Sequence, residues 1–111
     1  SSVIPMAVDD VHTPENRPRV SISNVDSSRA YGRDDTISLL VSASGRYPLA
    51  RAQIYINDEF VTTLSGQPFM YRFSPADISS IREQNTLRVV GIDSIFNRSE
   101  VSANFSVNLE N

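Results

Sequence analysis

Apolar and polar residues alternate with a period of two along most of this chain, which is the signature of half-buried β-strands. Val20 and Ile22 alternate with Ser21 and Ser23, so a first strand is expected over Arg19 to Asn24. From Thr36 to Ser44, Ile37, Leu39, Val41 and Ala43 share one face and Ser38, Leu40 and Ser42 the other. Leu40 makes that strand apolar on both faces at one point, which suits a central position in its sheet. Ala50 to Asn57 places Ala52, Ile54 and Ile56 inward and Gln53 and Tyr55 outward. Glu59 to Leu64 follows as a short strand, after an Asn57-Asp58 turn whose side chains tolerate left-handed backbone. Pro68 to Phe73 puts Phe69, Tyr71 and Phe73 on one side. In Asn85 to Asp93, Leu87, Val89 and Gly91 face the core while Arg88, Val90 and Ile92 take the opposite face. Val101 to Leu109 closes the series, with Ala103, Phe105, Val107 and Leu109 inward.

The interruptions are as informative as the strands. Pro48 lacks a backbone donor and stops a ladder; Ser65-Gly66 turns; residues 94–100 form a polar turn. Ser74-Pro75-Ala76-Asp77 reads as a helix start, with Ser74 as cap and Pro75 at the first helical position. One short helical turn near 75–82 therefore crosses between two sheets, with Ile78 and Ile81 facing the core. Residues 25–35 read as a loop in which Tyr31 packs its ring at the core edge and finds a partner for its hydroxyl. About seven short strands separated by turns predict an all-β, immunoglobulin-like or fibronectin-III-like β-sandwich. Pro14, Pro18 and several charges mark residues 1–17 as a linker or an edge extension, with Met6 and Val8 able to dock on a sheet edge; the sandwich domain is placed at 18–111.

Composition narrows the function. A chain of 111 residues is one domain, large enough to bury a core without disulfides, and it contains no cysteine. The net charge of −3 argues against nucleic acid as a partner. All ten basic residues are arginine, so a lysine Schiff base is impossible; the arginines are scattered along the chain and serve solubility. No apolar run is long enough for a membrane span, and the first residues show neither the charged start nor the apolar stretch of a signal peptide.

Several segments together resemble the bacterial immunoglobulin-like modules of surface and secreted proteins. They are Pro18-Arg19-Val20-Ser21-Ile22, the serine-rich strand Ile37 to Ser44, ARAQIYIND at 50–58, EFVTTL at 59–64, QPFMYRF at 67–73 and NTLRVVGIDSIFNRSE at 85–100. In the last segment an apolar strand runs into Asp93, a short turn and Asn97, as that family usually writes it. The chain departs from the family at Asp58 and Phe96, where glycine is common, so both turns are expected to differ in detail. The resemblance implies an accessory module beside other domains of the same polypeptide, in an extracellular or periplasmic cell envelope. Such modules accompany glycosidases, adhesins and peptidoglycan-building enzymes, where they can follow the penicillin-binding part, and DDVHTPENRP has the look of a connector of that kind.

Candidate chemistry is sparse. His12 is the single histidine and falls in the connector, too little for a structural zinc site or a serine-histidine-carboxylate triad. Asp9-Asp10 and Asp34-Asp35 are adjacent pairs, which on a strand point opposite ways and read as loop charge. Asp93 and Asn97 either cap their turn or join a carbonyl and Asp26 or Asp34 around calcium, which takes six to eight oxygen ligands. Tyr31, Tyr47, Tyr55 and Phe60 are candidates for an interaction surface toward a sugar or a protein. The expectation is a non-catalytic module with no cofactor and no metal, acting as spacer or protein-interaction domain. The alternative is a module that binds glycan or cell-wall polymer through exposed Tyr and Arg.

Overall fold

The computed structural model describes residues 13–110. The described part contains eight strands: β1 (Arg19–Ser23), β2 (Ala30–Gly32), β3 (Ile37–Ser44), β4 (Leu49–Ile56), β5 (Glu59–Leu64), β6 (Met70–Phe73), β7 (Gln84–Asp93) and β8 (Arg98–Asn108). They form a three-stranded sheet in the order β1-β3-β6 and a five-stranded sheet in the order β2-β8-β7-β4-β5. Every pairing is antiparallel except β2 with β8, which is parallel. His12, the Asp9-Asp10 pair and the apolar positions from Val3 to Val11 lie outside the described residues.

The core is made by the period-two faces. Ile37, Leu39 and Val41 of β3 meet Ala52, Ile54 and Ile56 of β4, Leu87 and Val89 of β7, and Phe105 and Val107 of β8. Phe73 and Phe105 pack edge to face at 6.3 Å, and Tyr31 meets Phe105 in the same way at 6.4 Å. β3 is the middle strand of its sheet and β7 the middle strand of the larger one, as Leu40 and the 85–93 segment suggest. Gly91 is required by close approach. A Cβ there would lie 2.6 Å from Val20 Cγ2 and 3.1 Å from Leu49 Cδ1, so β1 can press on β7 only over a glycine.

Four expectations are corrected. The expected strands number about seven, but Ala30–Gly32 adds an eighth within the expected loop, pairing through Tyr31 with Val107. The segment after Ser74 is a three-residue 3-10 turn, Pro75–Asp77, and the Ser74 side chain makes no capping hydrogen bond. Three residues close too little helix to be worth capping, although Ile78 is buried and Ile81 half-buried against the core as the pattern indicates. Ala43 is exposed, because the last residues of β3 run past the end of the core. β8 starts at Arg98, three residues before the expected Val101, since Arg98 to Glu100 already pair with Ile92 to Val90.

The chain enters the sandwich at one end and leaves at the other. Before β1, a 3-10 turn at Pro14–Asn16 lies against the β7–β8 turn, where Asn97 Nδ2 donates to the Asn16 carbonyl at 3.3 Å. β8 then runs away from that turn. At the far end Arg33 Nη1 donates to the Leu109 carbonyl at 3.3 Å. An eleven-residue strand separates the two ends, roughly 37 Å at the usual antiparallel rise.

Candidate functional site

Polar side chains knot both ends of the sandwich. In the β7–β8 turn, Asp93 is 1% exposed. Its Oδ1 accepts the N–H groups of Ile95 at 3.0 Å and Asn97 at 2.8 Å, and its Oδ2 accepts Asn97 Nδ2 at 3.0 Å. The Asp93 N–H donates to the Asn97 carbonyl at 2.9 Å. This is the turn-capping arrangement, and a cation would have to displace those donors. Among the described residues no group of three His, Cys, Asp or Glu side chains is placed to hold a metal ion, and Asp26 is engaged elsewhere, by the Ser28 N–H and hydroxyl. Those two bonds hold the Asp26 carboxyl below its ordinary pKa. At the other end, Asn85 Oδ1 accepts from the Arg82 N–H and from Asn57 Nδ2, while Asn57 Oδ1 accepts the Thr86 N–H. Asn57 and Asp58 both have positive φ, 53° and 68°, and Phe96 has 70°, so the two positions where glycine is common do carry the left-handed backbone that favours it.

The four aromatic candidates separate. Tyr31 is 6% exposed; its ring belongs to the core and its hydroxyl accepts the Asp26 N–H at 2.8 Å, so it cannot serve an exposed surface. Tyr47 lies in the β3–β4 loop with the Arg46 guanidinium 5.4 Å from its ring. Tyr55 and Phe60 come together across the β4–β5 pair, edge to face at 5.7 Å.

Tyr55 opens onto a face that reading the sequence did not anticipate. On the outer side of the five-stranded sheet, the strand registers stack β4, β7 and β8 residues into rows. Arg51, Ile92 and Arg98 make one row; Gln53, Val90 and Glu100 the next; Tyr55, Arg88 and Ser102 the third. Val90 and Ile92 are only 9% and 5% exposed, yet they stand outside the core cluster. The Arg88 guanidinium lies 4.2 Å from the centre of the Tyr55 ring, and its Nη1 is 3.3 Å from Glu100 Oε1. A groove of about 470 Å³ runs over this face, lined by Gln53, Tyr55, Arg88, Val90 and Glu100 and flanked by Arg17, Arg98 and Ser99. The arginines that look scattered along the sequence are therefore partly gathered: three line one groove. The signal that could have revealed this is the outer parity of Tyr55, Arg88 and Arg98, which becomes a surface once the strand order β8-β7-β4 is known.

No protein-family model and no curated protein matches the chain. Among solved structures, the fibronectin(III)-like modules of Clostridium thermocellum CbhA are similar, with a TM-score of 0.64 at 14% identity over 81% of this chain and 96% of that one. The fold is a fibronectin-III-like, immunoglobulin-type β-sandwich. At that identity the likeness fixes the architecture, and the side chains of the outer groove have to be read on their own terms.

Proposed function

We propose that this chain is a non-catalytic accessory module, a spacer or protein-interaction domain within a multidomain bacterial protein of the cell envelope or secreted medium. The observation that carries the reading is the route of the chain, in at the Asn97 end and out at the Arg33 end. A module threaded this way sets the distance between its neighbours by its own length. The similar bacterial module and the lack of any clustered His, Cys, Asp and Glu set among the described residues support the same reading. The sandwich then begins near Pro18, which is buried, with residues 1–17 as a linker or an edge extension. Its finer form, attachment to a peptidoglycan-synthesising enzyme, rests on the proline-bearing connector and the 85–100 segment alone. A tandem of two copies joined through residues 13–17 tests the spacer role by small-angle scattering. The maximum dimension should grow by about one sandwich length, roughly 37 Å; side-by-side collapse of the two copies would reject it.

A second reading is favoured by the outer groove: a module that also holds a glycan. Tyr55, Arg88 and Gln53 give that groove an aromatic edge, a cation and an amide, the mixture that small-ligand clefts use to orient a polar ligand.

A further inference from the structure

We infer that the outer groove is a site for a carboxylate-bearing polysaccharide, held by Arg17 and Arg98 with Arg88 as the fixed cation between them and Tyr55. The inference rests on the glycan reading above and adds the charge of the ligand.

The first argument is electrostatic. The chain as a whole carries −3, yet this groove is lined by three arginines against one glutamate. Glu100 is already engaged by Arg88 at 3.3 Å. Arg17 and Arg98 make no side-chain ion pair among the described residues, and both are exposed. Two unpaired guanidinium forks beside a partly enclosed cleft are matched by carboxylates, which they can hold through two parallel hydrogen bonds.

The second argument separates a glycan from denser polyanions. The rows that contain Arg98 and Arg88 are four β7 residues apart, about 13 Å along the strand. Between them stand Gln53, Val90 and Glu100, an amide, an apolar floor and a carboxylate. A polymer with a negative charge at every step would set charge over Val90 and against Glu100. A glycan with spaced carboxylates sets neutral rings there, where hydroxyls can donate to Glu100 and bond Gln53 and Ser99.

The third argument is aromatic. Among the described residues the exposed large apolar side chains are Phe60, Met70 and Phe96, and two of them border this face. Phe60, 57% exposed, extends the Tyr55–Arg88 row through its contact with Tyr55. Phe96, 69% exposed and held at φ 70°, lies 5.6 Å from the guanidinium of Arg51, which heads the row ending in Arg98. A bulky residue held in left-handed backbone with its ring in water is costly for the fold alone and useful as a platform for a sugar ring.

Affinity electrophoresis tests the inference on the folded chain, in native gels cast with hyaluronate, in which every second sugar is uncharged, hydroxyethyl cellulose or poly-L-glutamate. Hyaluronate should retard the protein, and retardation should weaken as sodium chloride rises through the range where surface charge is screened. The Arg17→Ser/Arg98→Ser variant should bind hyaluronate about tenfold more weakly or worse, with an unchanged thermal melt showing that it is folded. Retardation by hydroxyethyl cellulose that equals the uronate and survives the double substitution would keep the glycan reading and overturn this inference. Retardation by poly-L-glutamate as strong as by hyaluronate would make the surface a general polyanion or acidic-peptide site and overturn it too. No retardation by any polymer would overturn both.

Discussion

Val89 and Val90 are neighbours on β7, both are buried, and they live in different surroundings. Val89 faces the core, fully buried in the apolar cluster that also holds Leu87, Ile54, Leu39 and Phe105. Val90 faces outward between Gln53 and Glu100, under a groove bordered by three arginines. The inner face holds the two sheets together, so its residues answer to volume and shape. The outer face is covered by long polar side chains that can swing aside, so its residues answer to what arrives from solvent. Burial alone therefore does not separate structural from working positions in this sandwich; the identity of the covering atoms does.

Substitutions on the two faces can break or sharpen that contrast. The largest loss is expected for Phe105→Ala, which removes the ring that joins Tyr31 and Phe73. Chemical denaturation should report a loss of about 3–5 kcal/mol. Asp93→Ala strips the acceptors from Ile95 N–H, Asn97 N–H and Asn97 Nδ2 in a buried turn. It should cost about 3 kcal/mol, read in the same way. Gly91→Ala drives a methyl to 2.6 Å from Val20, a β-branched side chain with little freedom to retreat. A loss of about 1–3 kcal/mol is expected, and pairing with Val20→Ala should recover part of it in a double-mutant cycle. On the outer face, Arg17→Ser with Arg98→Ser should leave the denaturation midpoint within about 0.5 kcal/mol of the parent. A large loss there would mean that the groove is part of the fold's own support.

Much of the architecture was legible because the core is written in period two. Val20 and Ile22, Ile37 to Val41, Ala52 to Ile56, Leu87 to Gly91 and Phe105 to Val107 all alternate, and all of these segments are strands. β2 was not legible because Ala30-Tyr31-Gly32 is too short to alternate and is defined by parallel pairing to a strand seventy-six residues away, at Ser106 to Asn108. The role of Tyr31 was half visible: the ring and the bonded hydroxyl were foreseeable, but the same residue had equal claim to an exposed surface until its neighbours were known. The turn at Asp93 and Asn97 could be read because two polar residues at the end of an apolar strand need partners close by, and the backbone supplies them. The outer groove could not be read. Its floor, walls and charges come from β4, β7, β8 and the segment before β1, and only the strand order brings Arg17, Arg88 and Arg98 together.

The contrast between the faces is tested most directly by two isosteric substitutions side by side, Val89→Thr and Val90→Thr, compared by urea denaturation. Each keeps shape and β-branching and exchanges one methyl for a hydroxyl. At Val89 that hydroxyl has no partner among Leu87, Ile54 and Leu39, so a loss of about 1–3 kcal/mol is predicted. At Val90 it can bond Gln53 or Glu100, or meet water, and the loss should stay below about 0.5 kcal/mol. Equal losses at the two positions would contradict the account, because the outer face would then be a second dry core and not a surface built to receive a ligand.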